Sequence, residues 1–366
     1  MADSGFRQPA ALLALALFAA QGAFPAAVAT VFLSDGAVQG ELTTDGGIWR
    51  VGKQEIRPTS ALCLASDSNL PRLAEFGARF SDGTFLAGKF PDFAAGQANT
   101  FESESFGTVS VQAGDVAAIY MGGYPGRFPV EEARKVSGAI LSSGEFVAGE
   151  VTYVAVRFAG LKVDGRIRKY HLGQLYAVLL GETKATTRTG DWEVTTLNGD
   201  RLPGEPSKEG FRLLVRGERR ELALGRVAMA RQTARALPVE WRPDDPGRWR
   251  PMRDGEEQVL KDLGQRSLAR AFWQQAPSAV DAKLAPGGQS LVFRAWRQPG
   301  FFKGQMTIRI TSGSEVLKEI VFAPETWTAM DVIRLSTQTE VRVALVPGAD
   351  GAHGDRVVWE FLEFYR

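Results

Sequence analysis

Asp350, His353 and Asp355 fall within the six residues Asp-Gly-Ala-His-Gly-Asp near the end of the chain. Two carboxylates and an imidazole so spaced could reach one divalent cation, and Asp-rich loops often hold Ca²⁺. The donor set is short for that role. Histidine is a poor Ca²⁺ ligand, and two carboxylates do not supply six or more oxygens. The loop therefore reads as a solvated turn, with a polar ligand-binding role as the alternative and no metal or other cofactor expected. The second histidine, His171 in Lys-Tyr-His-Leu-Gly-Gln-Leu, lies in a strand-like segment and reads as structural. Cys63, the single cysteine, sits in Ala-Leu-Cys-Leu-Ala without a basic neighbour. It reads as a buried small hydrophobe and cannot form an intrachain disulfide.

This inventory leaves little for catalysis. Two His and one Cys give metalloenzyme, Cys–His and triad chemistries few parts. No HExxH, P-loop, nucleophile elbow or dinucleotide fingerprint is present. The 42 acidic residues always offer carboxylate pairs suited to glycoside hydrolysis, but no pattern selects one. The sequence is thus read as non-catalytic, with a polysaccharide-active enzyme as a lesser alternative.

Tryptophan suggests a different chemistry. Six of the eight Trp lie from Trp241 onward. Sugars present apolar C–H faces that stack on indole rings. Trp296 in Phe-Arg-Ala-Trp-Arg-Gln-Pro and Trp327 in Pro-Glu-Thr-Trp-Thr lie near strand ends and are the candidates for exposure. Trp273 and Trp359 read as core.

The elements that must position these residues fall into two groups. "LSDGAVQGEL", "FSDGTFLAGKF", "LSSGEFVAGEV" and "TLNGDRLPGEP" each place a turn between two strands, with a second Gly inside the later strand. Each is followed by a nine-residue signature, "IRPTSALCL", "VQAGDVAAI", "YHLGQLYAV" or "LALGRVAMA", of form apolar-x-x-(Gly or Thr)-x-apolar-x-x-apolar. Four units follow, at residues 30–66, 77–122, 138–182 and 190–235. In strand order each resembles the small SH3-like and Sm-like barrels. Units this small are marginal alone, so neighbours are expected to pack together. Residues 236–257, rich in Pro and Arg, read as a linker. Residues 258–366 hold six long alternating strands and read as an antiparallel sandwich, a jelly roll whose last strand sits mid-sheet. The fold class is all-β.

The ending, with Asp350, Gly351, Gly354, Asp355 and Trp359, resembles the last loop and strand of the NPCBM family of carbohydrate-binding modules and its galactose-binding-like relatives. The family's early Gly-x-x-x-His signature is absent here. The resemblance implies a jelly roll that takes a polysaccharide or cell-envelope glycan.

At the other end, Arg7, the apolar residues 9–24 and Ala27-Val28-Ala29 form an export signal, with cleavage expected after Ala29 and an uncleaved anchor as the alternative. No later run is long enough to span a membrane. A net charge of +1 gives no field for nucleic acid. The sequence thus describes an exported repeat scaffold carrying a glycan-binding sandwich. The alternative is a protein assembly or adhesion module that binds partners through repeat edges.

Overall fold

The computed structural model describes residues 27–67, 76–121, 136–181, 190–251, 272–284, 289–297, 304–323, 325–349, 351 and 355–366. Most of the proposed signal segment, residues 1–26, lies outside them, as do Asp350 and His353. The described chain is all-β, its strands paired antiparallel, with single 3-10 turns as its helical content.

The first unit contains β1 (Ala27–Leu33), β2 (Gly36–Asp45), β3 (Ile48–Val51), β4 (Gln54–Ile56), a 3-10 turn at Pro58–Ser60 and β5 (Ala61–Ser66). The second contains β6 (Gly77–Phe80), β7 (Phe85–Lys89), β8 (Asp92–Ala94), β9 (Ala98–Ser103), β10 (Gly107–Gln112), a turn at Ala113–Asp115 and β11 (Val116–Tyr120). The third has β12 (Gly138–Leu141), β13 (Phe146–Ala148), β14 (Glu150–Ala155), β15 (Phe158–Val163), β16 (Arg166–His171), a turn at Leu172–Gln174 and β17 (Leu175–Leu179). The fourth has β18 (Trp192–Thr196), β19 (Arg201–Pro206), β20 (Gly210–Val215), β21 (Glu218–Ala223), a turn at Leu224–Arg226 and β22 (Val227–Gln232).

One pairing order runs through all four. The first strand lies between the second and the last: β1 between β2 and β5, β6 between β7 and β11, β12 between β13 and β17, β18 between β19 and β22. The first-to-last ladder slips register once in each unit. The nine-residue signature supplies the 3-10 turn and last strand, and its apolar residues Pro58, Ala113 and Leu224 are buried at the start of the turn. The second Gly marks where two strands cross too closely for a side chain. A Cβ on Gly88 would lie 2.0 Å from the Glu102 carbonyl oxygen, and one on Gly204 2.6 Å from Leu213 Cδ2.

Units join edge to edge. Strand β5 pairs with β22, linking units one and four, and β11 pairs with β17, linking two and three. Units two and four meet where Phe85 in β7 pairs with Arg201 in β19.

The rest of the chain is a two-sheet sandwich. Its strands are β23 (Ala236–Leu237), β24 (Trp241–Pro243), β25 (Trp249–Pro251), β26 (Phe272–Gln275), β27 (Ser278–Lys283), β28 (Gln289–Arg297), β29 (Met306–Ser312), β30 (Glu315–Phe322), β31 (Thr328–Leu335), β32 (Glu340–Pro347) and β33 (Arg356–Tyr365). One sheet runs β25-β26-β33-β28-β31 and the other β24-β27-β32-β29-β30, with β33 inside its sheet as expected. Phe293, Ile308, Val343 and Trp359 fill the space between them.

The linker reading of residues 236–257 is corrected over its described part. These residues supply β23, β24 and β25 to the sandwich. Pro243 and Pro251 are tolerated because β24 and β25 lie at sheet edges, where a missing N–H costs no ladder bond. Trp241 stacks on Phe364 and Trp249 on Phe272, so burial of the indoles fixes the segment.

The outer face of the β33-containing sheet rests on units one and four. Phe32, Leu62, Cys63 and Ala65 pack against Val292, Phe361 and Tyr365. Charges are buried beside this apolar contact. Arg231 of β22 pairs with Glu193 at 2.8 Å and reaches across to Glu363. Arg294 of β28 pairs with Asp67 at 3.3 Å and Glu360 at 3.2 Å, and donates to the Ser66 carbonyl. Desolvated charges of this kind tolerate little displacement, so they hold the layers in one register.

Candidate functional site

The eight indoles divide sharply by exposure. Trp49, Trp192, Trp249, Trp273 and Trp359 are buried, and Trp241 and Trp296 are half-buried. Trp327 is 53% exposed.

Trp296 follows from its place on β28. It lies two residues from Arg294 and therefore on the same face, the one turned to the repeats. Its Nε1–H donates to Glu360 at 2.7 Å, and the Arg294 guanidinium lies 4.7 Å from its ring centroid. The expectation that Trp296 stands open to a ligand is corrected: the ring takes part in the buried charge cluster between sandwich and repeats.

Trp327 sits in the turn between β30 and β31. The Thr326 N–H donates to the Ala323 carbonyl, and the Trp327 carbonyl accepts from the Arg297 N–H at 2.9 Å. Arg297, at the end of β28, is buried. Its guanidinium donates to the Ala323 carbonyl at 3.0 Å and to the Gly304 carbonyl. One buried cation thus ties the turn under Trp327 to the neighbouring strand, and the indole is held out on a fixed base. Nothing in the sequence around Arg297 separates it from other strand-end arginines, because its partners are carbonyls of distant turns.

Asp355 is buried at the start of β33. Its carboxylate accepts from the Gly348 N–H at 3.4 Å, and its carbonyl from the Ala276 N–H at 2.9 Å. It braces the neck of the loop that carries Asp350 and His353, and is not turned out to a ligand. Asp355 itself lies at the same end of the sandwich as Trp327, since Arg297 is in register with Val357 at the start of β33.

The remaining titratable candidates have structural surroundings. His171 Nδ1 accepts from the Gly173 N–H and closes a capping box with Gln174. Burial pushes the Cys63 thiol up to about 12, which leaves it protonated and inert at neutral pH. Asp200 was not singled out by the sequence. It follows the turn Gly of unit four, is fully buried, and accepts from the Ala87 N–H at 2.7 Å, from Thr196 Oγ1 at 2.6 Å and from Ser105 Oγ. Burial raises its carboxyl above the usual range against those hydrogen bonds. Among the described residues no group of three or more His, Cys, Asp or Glu side chains is placed to hold a metal, and no helix is long and apolar enough to cross a membrane.

No protein-family model and no curated protein matches the sequence. Solved structures with partial likeness include the CBM51 module from a Clostridium perfringens GH95 protein in complex with methyl-galactose, at 9% identity, covering 26% of this chain and 69% of that one, TM-score 0.23. A CBM51 module with INT domains from C. perfringens ZmpB, in complex with GlcNAc, aligns at 9% identity over 73% of this chain and 43% of that one, TM-score 0.25. A family 35 carbohydrate-binding module from Clostridium thermocellum aligns at 20% identity over 25% and 71%, TM-score 0.18.

Proposed function

We propose that this chain is an exported, non-catalytic glycan-binding protein. Its four units, as small SH3-like or Sm-like barrels, form a rigid base, and the sandwich takes a polysaccharide or cell-envelope glycan on Trp327. The observation that carries this reading is the exposure of that one indole on a sandwich that covers its others. The backbone of the turn beneath the ring is pinned by Arg297, so a sugar stacking on the indole need not order the turn. Asp350 and His353, in the loop between β32 and β33 and outside the described residues, are the proposed hydrogen-bond partners for sugar hydroxyls. Asp355 supports that loop from within.

Export rests on the N-terminal segment. Cleavage after Ala29 would shorten β1 to Thr30–Leu33, which retains its pairing with β2 from Gln39 to Gly36. The non-catalytic reading is supported by Asp200, a carboxylate that burial raises above its ordinary range, whose oxygens are committed to Ala87, Ser105 and Thr196.

The test is a glycan array probed with the full chain and with Trp327→Ala. Binding of a subset of glycans by the wild type, lost in the variant while its far-UV circular dichroism is unchanged, supports the reading. No bound glycan, or equal binding by the variant, refutes it.

A further inference from the structure

Units two and four grip each other reciprocally. The β20–β21 hairpin of unit four sends Arg216 into the opening turn of unit two. There it pairs with Asp82 at 3.2 Å and Asp115 at 2.6 Å and lies over the Phe80 ring. In return, the β9–β10 hairpin of unit two sends Ser105 into the opening turn of unit four. There it meets Thr196, Asn198 and Asp200, and its carbonyl accepts from Arg226. Asp115 and Arg226 are the last residues of equivalent 3-10 turns. Phe85 and Arg201, the first residues of equivalent strands, pair at the centre. The contact therefore has local two-fold symmetry.

Unit three carries the same parts. Its turn Leu141–Glu145, its 3-10 residue Gln174 and its hairpin tip at Asp164 correspond to those used in units two and four. Asp164 and Arg216 even share a left-handed backbone, with φ of 52° and 49°, the two non-glycine cases among the described residues. Among the described residues, however, the surface in unit three is uncovered. Phe146 matches Phe85 as the first residue of its strand, yet is 37% exposed where Phe85 is 2%. Ser142, Ser143, Glu145 and Gln174 are all exposed.

We infer that unit three docks on unit three of a second copy of this chain, repeating the contact between units two and four across a true two-fold axis. An isologous contact needs a self-complementary surface, which is what the internal version already is. The charges also fit. The tip carries Arg166 and Arg168, Asp164 is engaged by Arg168 at 3.8 Å, and the facing turn carries Glu145. Phe146 would meet its own copy on the axis, as Phe85 meets Arg201.

Sedimentation of the full chain tests this, independently of any glycan. The wild type should dimerise below roughly 100 μM. Glu145→Arg or Arg166→Glu alone should weaken the dimer about tenfold, and the double variant should restore it. Phe146→Cys should form an intermolecular disulfide under mild oxidation, since strand partners on an axis lie within disulfide reach. Lys53→Cys, exposed in unit one, should not crosslink, and buried Cys63 should stay silent. A monomeric wild type, a dimer indifferent to the charge reversals, or crosslinking of Phe146→Cys no faster than Lys53→Cys would overturn the inference.

Discussion

At the scale of single residues, surroundings decide between chemistry and structure. Trp296 and Trp327 lie on adjacent rungs of one ladder, yet one is drawn into an ion cluster and the other left in solvent. Asp200 shows the same principle for a carboxylate. Because burial raises its native value, the folded chain holds a proton that the unfolded chain releases. Its contribution therefore favours folding most below the ordinary Asp value and is lost as pH rises through the raised one. Urea midpoints measured across pH should fall with rising pH in that window for the wild type and stay flatter for Asp200→Asn. Asp200→Ala, which strands the Ala87 N–H and two hydroxyls, should cost about 1–3 kcal/mol, with the larger loss at low pH.

At the scale of elements, the crossing glycines are the most exposed to failure. Gly88 has φ of 140° and no room for a Cβ. Gly88→Ala must displace β9 and should lower the urea midpoint by the equivalent of about 2–4 kcal/mol, whereas Gly83→Ala, with open space around it, should cost less. The elements were also the most legible part of the sequence. The six segments from Ser290 to Tyr365 are β28 to β33; β29 and β32 alternate because one face is solvated, whereas β28 and β33 are buried on both faces and read as apolar runs. The repeated turns and signatures appear as one pairing order four times. The short strands β24 and β25 escaped notice because Trp-Arg-Pro has no alternation; their ladders to β27 and β26, and indole contacts to Phe364 and Trp359 over a hundred residues away, are what join them to the sheets. The site was half legible for the same reason. Position near a strand end marked both Trp296 and Trp327. What covers Trp296 is held by an Arg294–Ser66 contact that spans 228 residues, which no local pattern encodes.

At the scale of the whole molecule, the sandwich and the repeats are one layered body. The apolar contact around Phe32 and Phe361, whose rings meet edge to face at 5.5 Å, is flanked by the Arg231 and Arg294 clusters. Arg231→Ala would remove the 2.8 Å ion pair from buried Glu193, and calorimetry should record a loss of about 3–5 kcal/mol. With one sheet face against the repeats, the proposed glycan site at Trp327 lies on a part of the sandwich that the repeats leave open. The eight indole N–H resonances in a ¹⁵N–¹H correlation spectrum report on this directly. On addition of a glycan selected by the array, the resonance that disappears in Trp327→Phe should shift far more than the other seven. If a different indole shifts most, or none does, the sugar does not stack on Trp327 and the account of the site is wrong.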